Sequence, residues 1–178
     1  MSLEKATFAA GCFWCTETIF KMLRGVKKVI SGYSGGVIVN PSYELVSSGS
    51  SGHAEAIQIT FDSNIISYDD LLYIFWRIHD PTTINKQGHD VGEQYRSVIF
   101  YHDDVQKAMA IKSKNHIEKE HLYKDHIVTE IIPFKAFYSA EEYHNNYYSK
   151  NLNNQYCRLV IDPKIQKLKR DYRKYLKE

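Results

Sequence analysis

Gly11-Cys12-Phe13-Trp14-Cys15-Thr16-Glu17 is the stretch around which the whole chain is organised. The apolar run from Ala6 to Ala10 before it predicts a strand. The apolar spacing after it predicts a helix that ends at Gly25 as the C′ residue. Cys12 is therefore expected where a strand passes into a helix, and the N–H groups of a helix N-terminus favour negative charge. This position predicts a lowered thiol pKa and a larger fraction of nucleophilic thiolate.

Phe13 and Trp14 place two aromatic rings directly after that cysteine. Their position indicates an apolar patch beside the sulfur. The alternative is a buried cysteine within an aromatic core, because free cysteine often acts as a small core residue.

Length and composition limit the class of protein. A chain of 178 residues with 43% hydrophobic and 25% charged residues predicts one globular domain spanning 1–178. A net charge of +2 argues against nucleic acid or a membrane surface as the partner. No apolar run is long enough to span a bilayer, and Met1 to Lys5 do not resemble a secretion signal, so the expected location is cytoplasmic.

The remaining pattern alternates short strands with helices, which predicts an α+β fold with helices packed on one mixed, mostly antiparallel sheet. Ser67 is expected to cap a helix that Pro81 stops. Asp103 or Asp104 begins another, and Pro163 begins a strongly basic last helix. The further strands are expected at Val26–Ser34, His53–Asp62, Tyr95–His102 and Ile127–Phe134.

Polar side chains suited to catalysis occur in loops or at the start of predicted strands: Tyr43, Glu55, Asp90 and Tyr95. Each alone is typical of a solvated surface. Together with Cys12 as a nucleophile they form a coherent set, with Glu55 as a general acid and two phenols as hydrogen-bond donors to an oxygen atom.

Three cysteines, Cys12, Cys15 and Cys157, admit three interpretations. Cys12 and Cys15 have the spacing of a thioredoxin-like dithiol, although the surrounding βαβ pattern is not evident. In the second interpretation the three cysteines join a histidine around zinc, but no second C-x-x-C or paired histidine spacing accompanies them. In the third interpretation Cys12 attacks a substrate and Cys157 resolves the product, since the unpatterned Leu152 to Asn154 stretch allows movement.

The sequence resembles the class A peptide methionine sulfoxide reductases from Ala9 to about Lys164. The matching pieces are Gly11-Cys12-Phe13-Trp14, Ser31-Gly32-Tyr33, Asn40-Pro41-Ser42-Tyr43, Gly52-His53-Ala54-Glu55-Ala56 and Asp90-Val91-Gly92-Glu93-Gln94-Tyr95-Arg96-Ser97. The resemblance implies a two-layer α/β sandwich of ferredoxin-like type. It also implies reduction of the S epimer of methionine sulfoxide, free or in proteins, with thioredoxin as reductant.

The same resemblance implies roles for individual residues. Cys12 is the nucleophile, Glu55 is the acid, and Tyr43 and Tyr95 bind the sulfoxide oxygen. Asp90 orders the site, while Phe13 and Trp14 hold the S-methyl group. Cys157 is the expected resolving cysteine and Cys15 is the alternative. No metal, flavin or nucleotide cofactor is expected.

Reduction of a sulfoxide requires Glu55 to be protonated. Sulfoxide oxygen leaves poorly as an anion, so an acid must protonate it. We therefore expect Glu55 to lie in an apolar pocket by Trp14, because burial raises the pKa of a carboxyl group and keeps it protonated at neutral pH.

Two rival functions remain at this stage. One is a non-enzymatic thiol protein, a redox sensor or zinc module, that docks partners on the basic last helix. The other is a cysteine hydrolase, which requires a histidine paired with Cys12, and His53 is the nearby candidate.

Overall fold

One six-stranded sheet runs through the protein, in a computed structural model that describes residues 1–178. Its strands are β1 (Leu3–Ala10), β2 (Val26–Ser34), β3 (Ala54–Asp62), β6 (Ser97–Tyr101), β7 (Glu130–Pro133) and β8 (Phe137–Ser139). They lie in the order β7-β6-β1-β3-β2-β8. The sheet is mixed, because β6 and β7 pair in parallel while the other neighbours pair antiparallel. A separate hairpin joins β4 (Lys86–Gln87) and β5 (Asp90–Val91).

Six α-helices accompany the sheet: α1 (Phe13–Lys21), α2 (Tyr43–Ser47), α3 (Tyr68–Phe75), α4 (Asp104–Lys119), α5 (Tyr147–Lys150) and α6 (Asp162–Asp171). A π-helical turn, Cys157–Ile161, leads directly into α6. Short 3-10 turns occur at Glu93–Tyr95, Glu142–His144 and Arg173–Tyr175. No helix combines the length and the apolar character needed to cross a bilayer.

The main core lies between the sheet and the helices. Phe8 of β1 packs against Phe20 of α1 and Phe75 of α3, with ring centroids 5.8 and 5.0 Å apart. Burial of such side chains contributes about 1.5–3 kcal/mol each relative to leaving them in water. The other sheet face is lined by smaller residues, such as Ala9 and Ala56, and is covered by Phe134 and Phe137. The helices are therefore packed against one face of the sheet.

The predicted elements are present with shifted ends. The capping box at Ser67 is confirmed, since its side chain and that of Asp70 bond each other's backbone N–H. The prediction that Gly25 directly ends the first helix was wrong. Helix α1 ends at Lys21, and Gly25, with φ +78°, lies in the turn before β2. Tyr95 lies in a 3-10 turn instead of in the predicted strand, because β6 begins only at Ser97.

Candidate active site

Cys12 lies at the junction of β1 and α1, as the sequence predicts, and is the N-cap residue of α1. Gly11 makes the turn possible. Its φ is +83°, and a Cβ atom there would lie 2.6 Å from the side chain of Gln87, so both the backbone conformation and the space require glycine. The Cys12 side chain is 8% exposed. The thiol therefore lies at the N-terminus of α1 with little exposure to solvent.

Glu55 stands beside this junction. It lies near the start of β3, is 2% exposed, and accepts a hydrogen bond from the backbone N–H of Phe13 at 3.1 Å. Burial raises the pKa of its carboxyl group to about 8, although the Phe13 bond opposes the shift. The burial that the sequence predicts for this carboxyl group is confirmed, and its pKa is shifted in the predicted direction. The group that bonds it is the Phe13 backbone at the start of α1.

The predicted pKa of the Cys12 thiol was wrong in direction. Burial raises the Cys12 pKa well above its usual value, and the neighbouring Cys15 thiol and Glu55 raise it further. The helix N-terminus favours an anion, but the thiol loses more by leaving water than it gains there. Cys12 is therefore a neutral thiol in the resting protein.

Tyr43 and Tyr95 come from two different segments, and charge on Glu55 and Cys12 acts on both phenols. Tyr43 is the first residue of α2, and its N–H donates to Glu141 Oε2 at 3.0 Å. Burial raises the pKa of both phenols, and negative charge on Glu55 or Cys12 raises each pKa further. The two hydroxyl groups, the carboxyl group and the thiol therefore share one electrostatic environment, although they come from four segments of the chain.

Asp90 is linked to this cluster through Tyr156. The Tyr156 hydroxyl donates to Asp90 Oδ2 at 2.6 Å, and the Tyr156 side chain packs against the cluster that contains Cys12. Burial and the charges of Cys12 and Cys15 raise the Tyr156 pKa, so the phenol is neutral. This bond fixes Asp90 and the Tyr156 phenol relative to each other beside the thiol cluster.

Trp14 is enclosed by the C-terminal part of the chain. Its indole N–H donates to His144 Nδ1 at 3.0 Å, Tyr147 stacks on it with ring centroids 3.7 Å apart, and Tyr156 meets it edge-on. Phe13 is completely buried against Tyr33 and His144. Tyr147 therefore covers one face of the Trp14 indole.

The three thiols lie in one apolar cluster with Ile161 and Ile165. All are free and buried. Burial raises the pKa of both Cys12 and Cys157, and charge on Cys15 raises each of them further. The structure thus brings both candidate resolving cysteines to the predicted nucleophile.

The loops that carry these groups are clamped to each other. Glu93 Oε1 accepts from the Gly52 N–H at 2.9 Å, and Arg96 donates to the Gly52 carbonyl, also at 2.9 Å. These two bonds hold the segment that carries Asp90 and Tyr95 next to the loop that leads into Glu55.

Comparison with known proteins agrees with this geometry. A model of the family described as peptide methionine sulfoxide reductase matches residues 4–176. The chain belongs to the peptide methionine sulfoxide reductase family. The reductase is 52% identical over 170 residues to the peptide methionine sulfoxide reductase MsrA of Sulfolobus acidocaldarius. The aligned residues cover 96% of this chain and 96% of that relative.

Two solved structures of the yeast protein Mxr1 resemble the reductase. The reduced form of Mxr1 from Saccharomyces cerevisiae is 35% identical, with a TM-score of 0.80 over 88% of this chain and 90% of that chain. Mxr1 in complex with Trx2 is 27% identical, with a TM-score of 0.57 over 82% of this chain and 85% of that chain. The fold of the reductase is thus the mixed α/β fold of these relatives.

His53 of the reductase is occupied by backbone groups. Its Nδ1 accepts from the Gly36 N–H at 3.1 Å, so its Nε2 carries the proton and donates to the Ile38 carbonyl at 2.7 Å. Neither ring nitrogen is available to take a proton from Cys12. This arrangement removes the support for a cysteine hydrolase. The structure also contains no group of three or more His, Cys, Asp or Glu side chains that could hold a metal ion.

Three aromatic residues of the site, His144, Tyr147 and Tyr156, were not predicted. Tyr147 lies in a polar segment without periodicity, 147–154, and His144 and Tyr156 flank it, so no spacing in the sequence indicates them. They reach Trp14 because Glu17, buried in α1, accepts from the Asn146 N–H at 3.0 Å and fixes the segment there. The position of Glu17 in the first motif was the one available signal.

Proposed function

We propose that this reductase converts the S epimer of methionine sulfoxide, free or in proteins, to methionine through Cys12. The single observation that carries the proposal is the buried Glu55 carboxyl group, bonded to the N-terminus of the helix that Cys12 caps; its burial raises its pKa. A neutral acid beside a thiol is what reduction of a sulfoxide requires.

In the first step Glu55 gives its proton to the sulfoxide oxygen while the sulfur of Cys12 takes that oxygen. Methionine leaves and Cys12 becomes a sulfenic acid. The thiol proton of Cys12 returns to the Glu55 carboxylate, so the acid is restored and the atoms balance. The raised pKa of Cys12 fits this order, because the thiol retains its proton until the carboxylate is available to accept it.

The phenols of Tyr43 and Tyr95 bind the sulfoxide oxygen in this proposal. Both are neutral donors within the electrostatic reach of Glu55. Trp14 contacts the S-methyl group after Tyr147 has moved, and the buried ring of Phe13 forms the wall behind it. Asp90 keeps the site ordered through Tyr156.

The sulfenic acid condenses with a protein thiol to give a disulfide and water. Cys157 is the thiol that we assign to the final disulfide, and thioredoxin is the dithiol that reduces it. Support comes from the shared cluster of the three thiols and from the relative that was crystallised with Trx2. The proposed cycle uses the thiols and the external dithiol and includes no resident cofactor.

We also propose the domain organisation, the fold type and the cellular location of the reductase. Residues 1–178 form one domain, supported by a single main core with contributions from β1, β2, β3, α1, α3, α4 and α6. A ferredoxin-like type is supported by the strand order β6-β1-β3-β2, with α1 joining β1 to β2 and α3 lying between β3 and β6. A cytoplasmic location is supported by thiol chemistry that depends on a reducing dithiol.

A thiol count with the two epimers tests the proposed function. The reduced protein is mixed with one equivalent of methionine S-sulfoxide, and we expect two thiols to be lost and one methionine to be formed. The R epimer serves as the matched control and is expected to leave all thiols free. Bound zinc, measured on the same sample, together with no loss of thiols would support the sensor or zinc module instead.

A further inference from the structure

A cleft of about 740 Å³ lies beside the outer edge of β2. Strand β8 pairs with β2 only at Gly32–Ser34, so no strand covers Val26–Ile30 on that side. Four lysines from three parts of the chain line the cleft: Lys27 and Lys28 of β2, Lys21 of α1, and Lys177 near the C-terminus. We refer to it as the lysine cleft.

The positive charge of the lysine cleft is only partly balanced. Lys21 Nζ pairs with Glu17 Oε1 at 2.6 Å, whereas the other three lysines take part in none of the ion pairs of the structure. Glu142 is the one acidic residue that lines the cleft. Burial lowers the pKa of Lys177, and the charges of Lys27 and Lys21 lower it further. An anion in the cleft would therefore stabilise these ammonium groups.

Protection of a free strand edge explains only part of this arrangement. Lysines on such an edge hinder its pairing with another chain, and this role accounts for Lys27 and Lys28. It does not account for Lys21 and Lys177, which come from other elements. Lys177 Nζ donates to the Lys21 carbonyl at 2.7 Å, and Lys21 Nζ donates to Asn146 Oδ1 at 2.5 Å. The convergence of lysines from separate segments favours binding of negative charge.

The lysine cleft and the candidate active site lie along the same side of α1. Trp14, Glu17 and Lys21 follow one another at spacings of three and four residues, which places them on one side of the helix. Tyr147 stacks on Trp14, while Asn146 lines the cleft and its N–H donates to Glu17 at 3.0 Å. Two turns of helix separate the two sites, which corresponds to about 10 Å.

We propose that the lysine cleft binds acidic residues that flank methionine sulfoxide in an oxidised polypeptide, and that acidic segments are therefore the preferred protein substrates of the reductase. This inference rests on the proposed function, because it assigns a second contact to the same substrate. An extended chain advances about 3.3 Å per residue, so the contacting carboxylates lie about three to five positions from the sulfoxide. Free methionine sulfoxide is too short to reach the cleft.

The lysine cleft acts on substrate binding and not on the chemical step. Its ammonium groups do not touch the reacting atoms, so their attraction for the substrate persists equally in the transition state. Such uniform binding lowers KM and leaves kcat unchanged. Because the lysines lie at the surface, salt screens the attraction.

The experiment measures kcat and KM, with thioredoxin as reductant, on synthetic peptides that each contain one methionine S-sulfoxide. Two acidic peptides carry glutamate at three to five positions before or after the sulfoxide, and their controls carry glutamine there. We expect one acidic peptide to have a KM about three- to tenfold lower than its control, since each exposed ion pair contributes little alone. The difference should shrink in about 0.5 M salt.

Charge reversal tests whether the cleft causes this preference. In Lys27→Glu/Lys28→Glu, both altered positions are exposed. This variant should lose the preference for glutamate and favour a matched lysine peptide. The control Lys112→Glu/Lys124→Glu changes the net charge equally at exposed positions outside the cleft and should keep the preference for glutamate. The readout is the ratio of kcat/KM for the peptide to that for free methionine S-sulfoxide, so a change in the amount of folded protein cancels.

The inference is overturned if neither acidic peptide has a lower KM than its glutamine control. It is also overturned if the cleft variant keeps the same preference for glutamate as the control variant. Failure of the proposed function gives a different result, because the protein would then reduce neither free methionine S-sulfoxide nor any of the peptides.

Discussion

Replacing Cys12 with serine is expected to abolish methionine release from methionine S-sulfoxide, even in a single turnover. The sulfur of Cys12 must accept the oxygen atom, and a serine hydroxyl group has no equivalent chemistry. The size and polarity of the side chain change little at this helix N-cap, where serine is itself a favoured residue. The measurement is methionine formed per protein with excess S epimer and no added dithiol.

The matched control for this variant is Cys157→Ser, which removes a buried thiol of the same cluster and leaves the nucleophile in place. It should still form about one methionine per protein. Substantial methionine release by Cys12→Ser would mean that another thiol is the oxygen acceptor, and the proposed role of Cys12 would be abandoned.

Replacing Glu55 with glutamine is expected to slow the reduction step by about 100- to 10,000-fold, the usual contribution of a positioned general acid. The amide has the same shape and its oxygen can still accept from the Phe13 N–H. It cannot donate a proton to the sulfoxide oxygen. Single-turnover kinetics of methionine release isolate this step from the later disulfide chemistry, and a rate within a few-fold of wild type would contradict the assignment.

The pH dependence provides a second test of the same group. Glu55 acts as an acid only while protonated, and burial raises its pKa to about 8. The wild-type single-turnover rate should therefore fall as the pH rises above about 8. In Glu55→Gln the small remaining rate should lack this decline, because the group that loses the proton is gone.

The same substitution is expected to stabilise the fold at neutral pH. The carboxyl group has a pKa of about 8 when folded, against an ordinary value of 4.5. Between these values the unfolded chain gives up the proton and the folded chain retains it, so Glu55 lowers the stability progressively as the pH rises through this window. At pH 7 the cost is on the order of 3 kcal/mol, from 1.36 kcal/mol per unit of pKa shift.

Urea unfolding of both proteins at pH 5, 7 and 8 measures this effect. The gain of Glu55→Gln over wild type should be small at pH 5 and larger at pH 7 and 8. A gain that does not change with pH would indicate that packing, and not the proton, distinguishes the two side chains.

Much of the site was predictable from local sequence. The strand, turn and helix around Gly11 and Cys12 follow from apolar spacing, and the capping box at Ser67 follows from its residue types. The placement of Glu55 in a buried strand next to a loop also follows from its alternating neighbours. These features depend on interactions between residues that are close together in the sequence, so the order of residue types is sufficient to predict them.

The sequence by itself determined the family, the nucleophile candidate and the set of polar groups around it. Only the tertiary structure decided that burial raises the pKa of the Cys12 thiol, that Tyr147 stacks on Trp14, and that Tyr156 bonds Asp90. The physical reason is that burial and charge at a point depend on every segment that reaches it. The residues concerned are separated by up to about 140 positions in the chain, and no local pattern contains the distance between them.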